Sequence, residues 1–360
     1  MELFSCRTKI YMGQGALKSL GDLVKGKLLV VCDPFFMENG KAKEIASLSG
    51  ATQTAYFSEV KPDPDVTLAA KGAALVQSFV PNAVVALGGG STLDCAKAML
   101  YFSGVEADLI AVPTTSGSGS EVTDFAILTH DGVKHPLVDE KLLPKAAILD
   151  GTLLERLPKG LIADAGFDCI SHALEALVAT KSGAITDALA TDSFCMAYHN
   201  LGRSFAGDVT VRQTIHNASC MAGLAFSQAG LGLCHAASHA LGGMFHIPHG
   251  RLNAILLPTV ISLNGSVVGE KYAALSRNAG FGGAVEAMGV RNLKNALIRL
   301  RRELKLPGTL ADAGVSAAAF RENRERLVDA ILEDPCCATN PVKTDKALVV
   351  RLLNEVAGNG

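Results

Sequence analysis

The sequence predicts two unlike folding units: an α/β domain with a parallel, Rossmann-like sheet over residues 1–158 and an all-α domain over residues 159–360. Two observations carry this. Short β-rich runs alternate with helical patterns up to about residue 155, the rhythm of strands joined by crossover helices, and beyond about residue 160 the strand signals stop and apolar residues recur with a 3.6-residue period. No internal repeat, low-complexity tract or long linker interrupts the chain, so the two domains are expected to abut with a cleft between them, the kind of place ligands favour.

The strands are expected in KLLVVCD (27–33), AVVALGGG (83–90), LIAVPTTSG (109–117) and KAAILD (145–150). Each is a short, nearly continuous apolar run ended by a turn former, as a strand covered on both faces should be. The helices are expected in IADAGFDCISHALEALVAT (162–180), SGAITDALATDSFCMAYHNL (182–201), VRQTIHNASCMAGLAFSQA (211–229), VRNLKNALIRLRRELKL (290–306) and AAAFRENRERLVDAILED (317–334), with Gly and Pro between them.

At 360 residues and 49% hydrophobic content, the chain can bury one large core or two ordinary ones. A net charge of −2 without a basic run lacks the electrostatic footprint of phosphate-backbone binding, so nucleic acid is not an expected partner. MELFSCRTKI has an acid at Glu2 and no uninterrupted apolar core, and no run of about 18 apolar residues is read anywhere, so no membrane partner is expected and the location is expected to be cytoplasmic. Nine cysteines without a framework spacing fit reduced thiols. Cys169 and Cys234 each adjoin a candidate ligand, but an i+1 neighbour on a helix is turned away by about 100°, and the vicinal Cys336 and Cys337, near a turn, read as ordinary thiols with joint oxidation as the competing reading.

The richest chemistry lies in GFDCISHALEA and GLGLCHAASHALGGMFHIPHG. Asp168 and His172 stand four apart in a helical stretch, one turn along one face at about 1.5 Å of rise per residue. His235 and His239 repeat that spacing, and His249 follows in an IPHG turn. Carboxylate plus imidazole suits iron(II) or zinc, and the absence of a CxxC pair argues against a structural zinc knuckle. Spacing leaves open which three histidines bind.

In AVVALGGGSTLDCAKAM a buried-type strand runs into three glycines and then a helix beginning near Ser91, where close backbone approach and free N–H groups favour a phosphate or pyrophosphate. GGGS is not GxGxxG, and a plain tight turn is the competing reading. PTTSGSGSE (113–121) offers small hydroxyl residues for a second wall of the same site. Asp33 ends an earlier strand, where a carboxylate either accepts hydrogen bonds from a ribose and repels a 2′-phosphate or simply caps a turn.

Together GGGSTLDCAK, PTTSGSGSEVT, GFDCISHALEA and GLGLCHAASHALGGMFHIPHGRLNAILLP resemble, in order and through essentially the whole chain, the iron-containing alcohol dehydrogenase family. The resemblance implies a dehydroquinate synthase-like architecture, an N-terminal dinucleotide-binding domain, a helical C-terminal domain and a metal between them on Asp168, His172, His235 and His249. It leaves His239 near the nicotinamide and substrate as a candidate proton relay. It assigns the cofactor NAD(H) to Asp33, Gly89, Gly90, Ser91, Asp94, Thr114, Thr115 and Ser118, with Lys134 near the nicotinamide ribose, and it places Phe226 on the wall of the substrate pocket. Ser118 stands where the family usually has Thr, keeping the hydroxyl. Asp164 stands at a place often held by Thr and is expected to be the helix N-cap, with support of a neighbouring ligand as the lesser reading, and Cys169 replaces a commoner Ala or Thr.

The implied reaction is reversible hydride transfer between NAD(H) and a short-chain primary alcohol or aldehyde, with Fe2+, or alternatively Zn2+, as Lewis acid. SCRTKIYMGQGAL and AFSQAGLGLCHA are most similar to the propanol dehydrogenases of bacterial propanediol-using microcompartments. That finer resemblance implies propanal and 1-propanol as substrates, a homo-oligomer (dimer), and an aldehyde dehydrogenase or shell protein as a possible microcompartment neighbour. The rival readings are a metal-dependent lyase of the dehydroquinate synthase type and a non-catalytic microcompartment-associated protein.

Overall fold

The computed structural model describes residues 3–130 and 133–358. The chain divides into two compact units, one of Leu3–Leu157 and one running from Pro158 onward. The first holds strands β1 (Lys9–Met12), β2 (Lys25–Cys32), β3 (Gly50–Phe57), β4 (Ala83–Gly88), β5 (Asp108–Pro113), β6 (Phe125–His130), β7 (Val133–Val138) and β8 (Ala146–Leu149). Between them lie helices α1 (Leu20–Leu23), α2 (Pro34–Glu38), α3 (Lys41–Leu48), α4 (Val66–Phe79) and α5 (Gly90–Ser103).

Six strands form one parallel sheet in the order β1-β8-β5-β4-β2-β3. Successive side chains on a strand point to opposite faces, and here both faces are covered. Leu28, Val30, Val85 and Ile110 pack on one side with Leu20 and Ile45, whereas Leu29, Val31, Val84 and Ala111 pack on the other with Val76 and Met99. That is why the central strands read as unbroken apolar runs. The edge strands β1 and β3 escape the sequence pattern because KIYM and GATQTAYF mix polar with apolar residues and are only partly buried. The antiparallel pair β6–β7 was likewise not expected.

Strand β2 has β3 on one side and β4 on the other, so the strand order reverses between β2 and β4. In an open parallel sheet, ligands bind outside the carboxyl ends of the strands at such a reversal. Asp33 follows β2 there and Gly89 follows β4.

The second unit holds α6 (Lys159–Val178), α7 (Ala184–Ala206), α8 (Arg212–Ala229), α9 (Leu233–Phe245), α10 (His249–Asn278), α11 (Glu286–Glu303), α12 (Ala317–Glu333) and α13 (Lys346–Ala357), with no strand among its described residues. Helix α6 packs on α7, α8 and α10, and α10 also packs on α9 and α11. Two expectations are corrected. Asp164 is not an N-cap: α6 begins at Lys159 after Pro158, and Asp164 lies inside the helix, paired with Arg251 at 2.9 Å. The expected absence of a long apolar segment also fails, because α10 is long and apolar enough to cross a membrane by length and composition. It is a core helix instead, largely buried among its neighbours, and its Pro258 and polar Asn253 and Asn264 hid that character in the sequence.

Candidate metal centre and phosphate-binding turn

Helix α6 presents Asp168, His172 and Glu175 at i, i+4 and i+7, which is one face. Helix α9 brings His235, and His249 is the first residue of α10, directly after Ile247 and Pro248. Gly250 makes this convergence possible. A Cβ there would stand 1.9 Å from the Asp164 carbonyl oxygen and 3.2 Å from Asp168 Cβ, so only glycine lets the start of α10 approach α6 this closely.

Asp168 Oδ1 is the hub, 3.5 Å from His249 Nε2, 3.8 Å from His235 Nε2 and 3.9 Å from His172 Nδ1. The donor atoms of Asp168, His235 and His249 all lie within 4.8 Å of one another. The rings of Phe226, His172 and His235 form a stack, with centroids 4.3 and 4.5 Å apart, which fixes the His172 plane. Asn253 on α10 donates to Asp168 Oδ1 at 2.9 Å and to Ser171 Oγ at 2.9 Å, and accepts from Ser238.

Glu175 is the site residue that sequence reading missed, although its i+7 step from Asp168 was legible. Its carboxylate accepts from the backbone N–H groups of Gly232, Cys234 and His235, caring for the otherwise unpaired start of α9, and from His235 Nδ1 at 2.6 Å. His235 is thereby held as an Nδ1–H donor with Nε2 turned inward. That Nε2 is buried with no hydrogen-bond partner among the described residues. What marks it as a donor is its setting, inward-facing and grouped with the Asp168 and His249 donor atoms, so the residues present fit a divalent ion.

Electrostatics agree. Burial opposes a charged Asp168, yet His172, His249 and His235 around it outweigh burial and hold its carboxyl well below the usual range. Burial alone would lower His235, but the Asp168 and Glu175 carboxylates carry it up to about 9.

His239 lies one turn beyond His235 but faces a different partner, with Nδ1 2.8 Å from Asp334 Oδ2. Its ring stacks on His249 with centroids 5.2 Å apart. Burial alone would raise the Asp334 carboxyl, but the His239 hydrogen bond wins and keeps it low, so Asp334 accepts and Nδ1–H donates. Cys169 is buried facing Ser193, and the Cys234 thiol faces Asn253, so neither points at the Asp168 hub.

In the first unit, the glycine turn and the hydroxyl-rich loop meet. Gly88 pairs with Pro113 at the ends of β4 and β5, and Thr114 N–H donates to the Gly88 carbonyl at 2.9 Å. A Cβ on Gly89 would stand 3.2 Å from Thr115 Oγ1, and one on Gly90 would stand 2.9 Å from Ser118 Cβ. Ser91 follows in the first turn of α5, so its backbone N–H is among the unpaired donors at that helix start. Asp94 works beneath the turn, accepting from Ser120 Oγ at 2.6 Å and Ile127 N–H at 3.1 Å. Buried Lys97 donates to Ser120 Oγ and to the Thr123 and Phe125 carbonyls, locking the second loop onto α5. Asp33 caps α2 by accepting from Phe36 N–H at 3.2 Å. Lys134, on β7, pairs with Asp63 at 2.7 Å.

Comparison with known proteins decides the family. Residues 7–151 match iron-containing alcohol dehydrogenase, and residues 162–357 match the C-terminal domain of the Fe-containing alcohol dehydrogenase family. The chain belongs to the iron-containing alcohol dehydrogenase family. As such it is an oxidoreductase interconverting alcohols and aldehydes. It is 37% identical to the 1-propanol dehydrogenase PduQ of Citrobacter freundii over 99% of this chain and 100% of that protein. It is 34% identical to the NADPH-dependent butanol dehydrogenase of Clostridium saccharobutylicum over 96% of this chain and 95% of that one. Among solved structures, a 1,3-propanediol oxidoreductase superposes with a TM-score of 0.92 at 28% identity, covering 99% of this iron-containing alcohol dehydrogenase and 100% of the other chain.

Proposed function

We propose that this alcohol dehydrogenase works with NAD(H) on short primary alcohols and their aldehydes, with 1-propanol and propanal as the leading pair. The observation that carries the reading is the orphaned His235 Nε2, anchored from behind by Glu175 and facing Asp168 beside His172 and His249. A divalent iron ion held by these four side chains would supply Lewis acidity at the substrate oxygen, and a nicotinamide would carry the hydride. Every other part belongs to the chain. Phe226, buried against His172, gives an apolar wall that keeps water from the reacting carbon. His239, its Nδ1–H held by Asp334, offers Nε2 to take the hydroxyl proton in oxidation and return one in reduction.

Similarity to 1-propanol and butanol dehydrogenases supports the substrate class. Support for NAD(H) comes from Asp33 at the β2–β4 reversal, where its charge opposes a 2′-phosphate, and from the turn formed by Gly89, Gly90, Ser91, Thr114, Thr115 and Ser118. The same reading takes residues 1–158 as the dinucleotide-binding domain and 159–360 as the metal-binding domain. It places a homodimeric enzyme in the cytoplasm, in a microcompartment alongside an aldehyde dehydrogenase or shell protein.

The test is NADH consumption with C2 to C4 aldehydes, on metal-stripped and iron-loaded samples whose metal content is measured. Turnover should follow iron content and favour propanal. Equal turnover by the stripped protein, or none with any aldehyde, would sink the proposal.

A further inference from the structure

A second donor cluster lies beside the first. His239, Asp334 and Cys336 offer a ring nitrogen, a carboxylate oxygen and a thiol sulfur, all within 4.8 Å of one another. The cluster is built by the fold. Asp334 ends α12 and caps the 3-10 turn Pro335–Thr339 by accepting from Cys336 N–H at 2.8 Å, which puts the carboxylate and the thiol on one short turn, while its other oxygen holds His239. Neighbouring Cys337 donates its thiol to the Ile331 carbonyl at 2.9 Å, away from the cluster. His239 and Cys336 are each partly buried residues, and the His239 side chain is 27% exposed.

We propose that His239, Asp334 and Cys336 form a second, thiophilic metal site that takes zinc or a similarly soft divalent ion. The donor chemistry separates it from the Asp168 centre. That centre has no sulfur donor and suits iron, whereas nitrogen, carboxylate and thiolate together are a zinc set. Charge balances as well: one dication, one carboxylate, one thiolate and a neutral imidazole sum to zero, so binding leaves no uncompensated charge in a half-buried pocket. The Cys336 thiol gives up its proton to solvent as the sulfur–metal bond forms. The His239 proton shifts from Nδ1 to Nε2, and His239 and Asp334 move apart by a few tenths of an ångström from their present 2.8 Å to become separate ligands. A consequence follows from the role given to His239 under the proposed function, on which it rests: an ion at this site blocks the proton path, so zinc added to the iron-loaded enzyme inhibits without displacing iron.

Cobalt(II) titration of the full-length, metal-stripped protein tests the site directly. The Asp168 centre contains no thiolate, so a near-ultraviolet sulfur-to-cobalt charge-transfer band reports only a cysteine site. The band should appear by two equivalents of cobalt, vanish in Cys336→Ser, fall sharply in Asp334→Asn and persist in Cys337→Ser. An unchanged visible cobalt spectrum from the Asp168 centre would show that Cys336→Ser is folded. No band at two equivalents, or a band that survives Cys336→Ser, overturns the proposal. Zinc inhibition of the iron-loaded enzyme should be reversed by a mild chelator and weakened at least tenfold in Cys336→Ser. If the Cys336-dependent band forms while turnover is untouched, the site stands and the proton role of His239 is what fails.

Discussion

The orientation of His235 is decided by one carboxylate. Glu175 binds its Nδ1 and three backbone N–H groups at the start of α9, so Glu175→Gln should weaken both the ring's orientation and the helix start. Metal affinity should fall roughly 10- to 100-fold, measured by competition with a chelator; unchanged affinity would show that Glu175 only caps α9. Charge at Asp33 is expected to set cofactor choice, and Asp33→Gly should narrow the preference for NADH over NADPH; equal catalytic efficiency with both cofactors in the unmodified enzyme would contradict it. Buried Glu121 makes a stability prediction. Burial pushes its carboxyl up to about 7, against the opposing pull of a backbone hydrogen bond and Lys97. The folded chain therefore keeps a proton that the unfolded chain releases near the ordinary carboxylate range, so stability falls as pH rises from there to about 7. Urea midpoints of Glu121→Gln should lose that slope, and a slope identical to the unmodified protein's would assign it to another group. Asp168, His172, His235 and His249 were legible as chemistry from their spacing, and the family resemblance singled them out from His239. Glu175 shares the helix face of Asp168 and His172, at i+7 from Asp168, but its role was not legible, nor were those of Asn253 and Asp334, because a carboxylate or amide looks the same in sequence whether it faces water or a ligand's ring nitrogen.

Elements converge through small residues. Gly250 lies where α10 meets α6, and Gly250→Ala would drive a methyl into the Asp164 carbonyl. The helices must separate, at a cost of about 1–3 kcal/mol, and His249 leaves Asp168. Thermal melting and iron content should fall together; a variant as stable and as metal-rich as the parent would show that α10 can shift without consequence. The sequence pattern found the strands that are covered on both faces, because burial alone makes them apolar throughout. It lost β1 and β3, whose edge positions allow polar residues, and it lost α10, a helix apolar on nearly every side whose 3.6-residue period is blurred by burial all round. Asp164 was misplaced because α6 starts earlier, at Lys159 directly after Pro158, which leaves the aspartate five residues in, where it serves Arg251 instead.

At the scale of the whole molecule, the two-part organisation was readable because the two units obey different periodicities, and the family match spans both. On the proposed reading, the first unit offers its glycine turn at the sheet reversal to the nucleotide, and the second offers its carboxylate–imidazole set to the ion. Asp168→Ala and His249→Ala should each lose metal and turnover while melting as a folded protein, whereas His239→Asn should keep its iron and lose turnover by about 10²-fold. The most direct test of the central claim is an anomalous difference map at the iron edge from crystals grown anaerobically with iron(II). One strong peak is expected at bonding distance from Asp168, His172, His235 and His249. A peak confined to His239, Asp334 and Cys336, or no peak in crystals of fully active protein, would contradict it.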